Sequence, residues 1–448
     1  MSRIREKKEV MIARLFLLLA ALTAVAPAQD YRLVIVDPGH FHAALVQKDM
    51  YPFLSPRVSV YAALSPELLD YMNRISLFNV RKDNPTRWEL EVHTGPDFFP
   101  RMLREKAGNV VMFTGRNREK IDRVLASLDA GYHVLADKPW IIRSADMSKL
   151  ETALDRAPKK GLAAYDIMTE RYEITSILQR ALVQAPGVCG KVGSVESKSI
   201  HHIMKLVAGV PIKRPVWFFD IDEYGEALAD VGTHVVDLAH WTLFPEQMLD
   251  YRKDIRILGG KRWPTAITAA QFKQVTGEEP FPSSLSRWAK DGRLDYYSNN
   301  SVHYTVRGVD VKMDILWNWE APAGAGDVYE ASFRGPLARV EVRQGKAENF
   351  QPELYVVPVA NAAEVTAAVR RAVDSWQSKW PGVAVEPRGN ELHIAVPAQY
   401  HVGHEAHFGQ VTNAFFEYVR DPKKMPAWEK AHMLAKYYVT TKGVEAGR

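Results

Sequence analysis

Cysteine is nearly absent, since Cys189 is the only one in 448 residues. That excludes an intramolecular disulfide and a cysteine-held metal cluster, and it suits an oxidising compartment, where stray thiols are a liability. No charge of one sign dominates: 58 Lys and Arg stand among 53 Asp and Glu, for a formal charge of +5. With the two signs interspersed, nucleic acid is not an expected partner. The apolar run at residues 15–22 is too short to span a bilayer. No His-Glu-x-x-His motif, internal repeat or low-complexity tract occurs.

What is present at the N-terminus has the layout of an export signal. Basic residues precede the apolar run, and Ala26-Pro27-Ala28 follows with small residues at the cleavage positions. Residues 1–28 are therefore expected to be a signal peptide. There is no lipoprotein cysteine and no twin-arginine pair before the run, so the expected destination is the periplasm, with no membrane span left after cleavage.

From Tyr31 onward strand and helix patterns alternate. Buried-strand runs stand at residues 32–36, 58–63, 109–113, 131–136 and 162–165, with a weaker one at 89–93. Helical patterns separate them, as right-handed βαβ units of a parallel sheet require. Residues 70–88 are expected to form an inserted loop. After about Asp166, strands at 193–200, 303–315, 328–333 and 338–343 alternate polar and apolar residues, which predicts an antiparallel or mixed sheet with one covered face. Helices at 403–419 and 427–440 close the chain and are expected to pack back on the first unit. The predicted fold class is an α/β Rossmann domain (29–165) followed by an α+β domain with a large mixed or antiparallel sheet (166–448).

The stretch VIVDPGHFHAALV at residues 34–46 reads as the first strand, turn and helix of a dinucleotide fold. Gly39 stands at the central position, where backbone must approach a pyrophosphate. Asp37 replaces the first glycine, and His40, Phe41 and His42 follow. Two glycines of the fingerprint are lacking, so the stretch alone fits a reduced cofactor loop, a histidine metal site on His40 and His42, or a helix-start turn with no ligand. The second strand also lacks the acid that would hold an adenosine ribose, Glu67 being the only one near, and Arg57 is no sufficient argument for NADP. Thr114 and Asn117 end the fourth strand at the sheet's carboxyl edge, where ligands bind in such folds. Lys138 lies in an Asp137-Lys138-Pro139 turn after the fifth strand and would project at the same edge, where an ammonium orients a hydroxyl.

Asp137-Lys138-Pro139 resembles the Glu-Lys-Pro motif of the glucose–fructose oxidoreductase, inositol dehydrogenase and rhizopine-catabolism family, with Asp in place of Glu. The segment GEALADVGTHVVDLAHW at residues 225–241 resembles that family's Asp-x-Gly-x-His-x-x-Asp segment. Asp230, His234, Asp237 and Trp241 recur at one-turn spacing, so a helix brings them to one face. The two motifs cover about half the chain. Residues 201–205, 214–220 and 436–441 resemble a subgroup of exported oxidoreductases with its own C-terminal domain.

The resemblance implies hydride transfer between a sugar-type carbinol carbon and NAD or NADP. His234 would act as general base, Lys138 as its electrostatic partner, and Asp230 would orient substrate or histidine. Gly39, His40, Phe41, Thr114, Asn117 and Lys138 would line the cofactor, which in an exported protein is expected to be held tightly. His202, Lys205, Arg214, Trp217 and Asp237 are the expected substrate contacts. His401, His404 and His407 cluster in sequence, but nothing supplies a full ligand set, so no metal is expected. A NAD-recycling glycosidase and a non-catalytic exported sugar-binding module remain as alternatives. The expected partner is a small carbohydrate, and a homo-oligomer stays open.

Overall fold

The computed structural model describes residues 31–448 apart from 208, 209 and 323, so the signal-peptide reading lies outside the described residues. Six short strands form a wholly parallel sheet: β1 (Leu33–Val36), β2 (Arg57–Ala62), β3 (Glu89–Thr94), β4 (Val110–Phe113), β5 (His133–Ala136) and β6 (Ala164–Asp166). Their order is β3-β2-β1-β4-β5-β6, so the order reverses between β1 and β4, where a crevice opens at the carboxyl ends. Both faces are covered, which explains why β1 and β4 are apolar at every position.

The helices between them are α1 (His42–Val46), α2 (Pro66–Val80), α3 (Phe98–Glu105), α4 (Lys120–Asp129) and α5 (Met147–Lys159). α2 corrects the expected loop at 70–88. Ser65 caps it by accepting from the Leu68 N–H at 3.2 Å, and Pro66 occupies the first turn. Only Leu68, Tyr71 and Ile75 of α2 are buried, so its apolar stripe is too thin to announce a helix by periodicity.

The second sheet is ten-stranded and mixed. Its main strands are β7 (Ser194–Met204), β8 (Ile255–Thr268), β9 (Arg293–Val306), β10 (Val309–Glu320), β11 (Val328–Arg334), β12 (Ala338–Arg343), β13 (Glu353–Pro358), β14 (Ala384–Arg388) and β15 (Glu391–Ala395). They run β8-β9-β10-β7-β11-β12-β13-β15-β14, and only the β10–β7 pair is parallel.

Of the further helices among the described residues, five are long: α6 (Ile174–Gln184), α7 (Val231–Leu243), α8 (Ala362–Ser375), α9 (His404–Arg420) and α10 (Ala427–Ala446). α9 packs Phe408, Val411, Phe415 and Phe416 into the same core as Ile35, Ala44 and Val60, so the C-terminal part does cover the first unit. α10 lies on β8 and β9 through close backbone contact. A Cβ on Gly443 would sit 2.6 Å from Leu228 and 2.8 Å from Val302, so only glycine fits there. No helix among the described residues is long and apolar enough to cross a membrane.

Candidate active site

The turn after β1 is built on Asp37, which adopts a left-handed φ of 46°. Asp tolerates that region better than most residues, so the missing first glycine costs little. Its carboxylate is met at 3.3 Å by both Arg116 and Arg123, which neutralises a charge that would repel a phosphate. Gly39 is required, but its nearest neighbour is the indole of Trp217: a Cβ would lie 2.6 Å from Trp217 Cζ2 and 3.3 Å from Gly115 Cα. The Trp217 N–H donates to Glu67 Oε1 at 3.0 Å, and the Arg116 guanidinium stacks over the indole at 5.4 Å. Trp217, from the second unit, thus lies across the glycine turn and is tied to the acid beyond β2. The hollow lined by Val36, Asp37, Phe113, Gly115, Arg116, Lys120 and Arg123 holds only about 10 Å³, room for about one water.

At the other end of the crevice the polar groups converge. β5 delivers Asp137, whose carboxylate takes the buried Lys120 Nζ at 2.5 Å and contacts His42 Nδ1 at 3.2 Å. Lys138, the next residue, pairs with Asp230 at the N-cap of α7. α7 is buried around its circumference, and His234 is its only residue from Val231 to Leu243 that is not fully buried. His234 Nδ1 itself is enclosed without a hydrogen-bond partner, as is His40 Nδ1. Burial, then the charge of Lys138, holds His234 well below the usual histidine range. Burial followed by the neighbouring imidazole does the same for His40. Both rings are therefore neutral at neutral pH and can accept a proton or a ligand. His404, from α9, lies near His42 with ring centroids 6.5 Å apart.

Lys138 pairs with Asp230 and its charge acts on both His234 and His40, while Phe41 only stacks on His40, at 4.3 Å. Asn117 is partly diverted. Its amide donates to Tyr224 O at 2.6 Å and its N–H to Glu223 O at 3.0 Å, so it ties the units together and leaves Oδ1 unpartnered. Thr114 Oγ1 is likewise buried without a partner.

The expected substrate contacts fare less uniformly. His202 and Lys205 both engage Asp327, at 3.3 and 2.6 Å, beside His201 at 3.0 Å. Arg214 requires correction: it is buried, donates to the carbonyls of His202 and Ile203, and stacks on Phe218 and Trp317. A guanidinium so enclosed braces β7. Trp217 is also corrected, since it covers Gly39. Asp237 is corrected most firmly, because Arg171 binds both its oxygens at 2.6 and 2.7 Å and Lys436 adds a contact at 2.9 Å. Burial raises its pKa, but Arg171 and Lys436 outweigh burial and hold it well below the carboxylate range.

Whether a dinucleotide fits is decided by these atoms. The orphaned Thr114 Oγ1, Asn117 Oδ1, His40 Nδ1 and His234 Nδ1 are unmet polar groups of the kind a ligand satisfies. The residues fit such a ligand, with Trp217 packed against Gly39 beside them. Lys120, Glu67, Asp327 and Arg171 were not foreseen in these roles. Lys120 had no signal, being one lysine in an amphipathic helix. Glu67 was visible as the acid nearest the end of β2.

Residues 178–448 match the family described as "Putative oxidoreductase C terminal domain". No curated protein matches the chain. A "putative oxidoreductase" from Parabacteroides merdae is 41% identical, covers 94% of this chain and 98% of its own, and superposes with a TM-score of 0.91. KijD10, a 3-ketoreductase from Actinomadura kijaniata in complex with NADP and TDP-benzene, is 15% identical over 91% of this chain and 95% of its own, TM-score 0.54. GenD2 from gentamicin A biosynthesis, in complex with NAD, is 16% identical over 93% and 95%, TM-score 0.56. The last two show likeness of fold alone.

Proposed function

Because the chain belongs to the "Putative oxidoreductase C terminal domain" family and has the glucose–fructose oxidoreductase type of fold, we propose that it is a nicotinamide-dependent oxidoreductase acting on a sugar or glycoside carbinol. The observation that carries this reading is His234, the one half-buried residue of α7, with a neutral ring beside the Lys138–Asp230 pair. When bound, the nicotinamide takes up or returns a hydride at the carbinol carbon. His234 accepts the hydroxyl proton, and its neutrality at working pH makes it competent as a base. Lys138 directs its ammonium at the substrate oxygen and is oriented by Asp230. Dinucleotide-bound neighbours of the same fold support the choice of cofactor, NAD or NADP being equally compatible. Entry requires Trp217 to swing from Gly39, and its return would retain the dinucleotide tightly, which suits work outside the cytoplasm after export.

The Trp217 cover favours one second reading, a carbohydrate-binding module that no longer admits the dinucleotide. The two readings separate in one experiment. Denaturing purified protein and assaying for NAD(H) or NADP(H), with titration of both cofactors, yields bound or binding dinucleotide if the enzyme reading is right. Its absence in both assays sinks that reading. With cofactor present, Lys138→Ala and His234→Ala abolish oxidation across a glycoside panel, and retained activity would show these residues misassigned. Hydrolysis without net reduced cofactor would select the cofactor-recycling glycosidase.

A further inference from the structure

We propose that His40, His42 and Asp137 form a binding site for one first-row divalent metal ion of the Zn²⁺ type. The inference does not depend on the dinucleotide reading. His40 and His42 flank the start of α1, with ring centroids 3.8 Å apart. Asp137 arrives from β5. One ligand atom from each of the three lies within 4.8 Å of the other two. Nitrogen and oxygen ligands about 2.0–2.2 Å from a tetrahedral ion stand roughly 3.3–3.5 Å from one another. The His42 Nδ1–Asp137 Oδ2 edge, at 3.2 Å, already has nearly that length. His40 alone must close in.

Two independent features favour a metal over a plain hydrogen bond. The His40 Nδ1 lone site is enclosed with no partner. The second carboxylate oxygen of Asp137 is anchored by Lys120 at 2.5 Å, the outer contact that holds a ligand in orientation. The nearby cations oppose an ion, but Lys138 is paired with Asp230. Three protein ligands leave a fourth position, and three with an open place is the pattern of a Lewis-acid site. The ion would there bind and polarise a substrate hydroxyl or carbonyl oxygen.

The test uses the full chain, stripped with chelator and dialysed. Zn²⁺ is titrated calorimetrically, metal content is read by mass spectrometry, and Co²⁺ serves as the spectroscopic probe. The wild type is expected to hold about one ion per chain and to give the visible bands of a low-coordinate Co²⁺ site. His40→Ala, at a half-buried position, should bind on the order of a hundredfold more weakly, with its circular dichroism melt preserved. His42→Ala should do the same. A wild type that binds neither ion overturns the proposal, as does undiminished binding by folded His40→Ala. NAD(H) titration of the same samples keeps the outcomes apart, because metal binding without dinucleotide binding fails the proposed activity and leaves this site standing.

Discussion

Two clusters of charged and polar groups border α7, and they differ in how completely their atoms are satisfied. In one, Arg171, Asp237, Glu429, Lys436 and Asp166 form a closed network with contacts of 2.6–2.9 Å. In the other, the crevice holds His40, Thr114, Asn117 and His234, each with an enclosed atom that bonds to nothing. Buried polar groups are normally paired because leaving one bare costs about 1–3 kcal/mol. The network is a joint: it fastens β6, the turn before α6, α7 and α10 to one another. The crevice carries an unmet cost that a ligand can offset. The same helix thus presents Asp237 to a joint and His234 to a site.

The largest expected effect is on the joint. Lys436 is wholly buried and serves both Asp166 and Asp237. Lys436→Met leaves two carboxylates short of a cation in low dielectric, which costs about 3–5 kcal/mol. Urea denaturation should show that loss with an unchanged slope. A loss below about 1 kcal/mol, the scale of an exposed pair, would mean the network is solvated. His234→Ala should leave the urea midpoint nearly unmoved while abolishing turnover, so the pair of variants measures the contrast directly.

Trp217 offers a smaller and opposite test. Truncating a buried tryptophan costs about 3 kcal/mol or more, but Trp217→Phe keeps most of the packing and loses the N–H bond to Glu67. Trp217→Phe should therefore melt slightly lower and take up NAD or NADP faster in stopped-flow fluorescence. Slower or equal uptake would show that the indole does not guard the glycine turn.

Much of this was legible beforehand because it rests on periodicity. The parallel strands read as continuous apolar runs, since both faces of that sheet are covered, and Lys138, Asp230 and His234 were marked by fixed spacing within two motifs. Arg171, Lys120 and Asp327 were not, because each partner lies in a distant segment and an isolated charged residue carries no spacing signal. Arg171 and Asp237 are separated by 66 residues, Lys436 and Asp237 by 199. Asp237 was misread for the same reason: its place on the helix was visible, but the two cations that claim it were not. The reduced glycine turn was the converse case. Its one glycine was singled out as the place where backbone meets a pyrophosphate, yet the atom that crowds it belongs to Trp217.

Acid should act on the two clusters unequally. Asp237 is held far below the carboxylate range and burial is outweighed by acids that keep Arg171 charged, so this pair does not titrate between pH 7 and 5. The crevice histidines do contribute there. Burial lowers the pKa of His40, His42 and His234 in the folded chain, whereas unfolded histidine takes a proton near about 6.5. A depressed folded pKa gives stability that is present above the unfolded value and is lost as pH falls through that window. His240, down to about 3, and His432, down to about 4, add to the same slope. Glu173 opposes it: burial, then Glu170, raises it to about 7, so its contribution grows as pH drops from about 7 toward its unfolded value near about 4.3. Burial likewise lowers His133, His404 and His407 and raises Glu223 and Glu429; eight histidines outweigh three carboxylates, and the melting temperature should fall between pH 7 and pH 5. Glu173→Gln removes the opposing part and should steepen that fall. A profile that is flat in the wild type and unchanged in Glu173→Gln would mean the crevice is already wet enough to protonate in place, and that its bare nitrogens are met by solvent rather than waiting for a ligand.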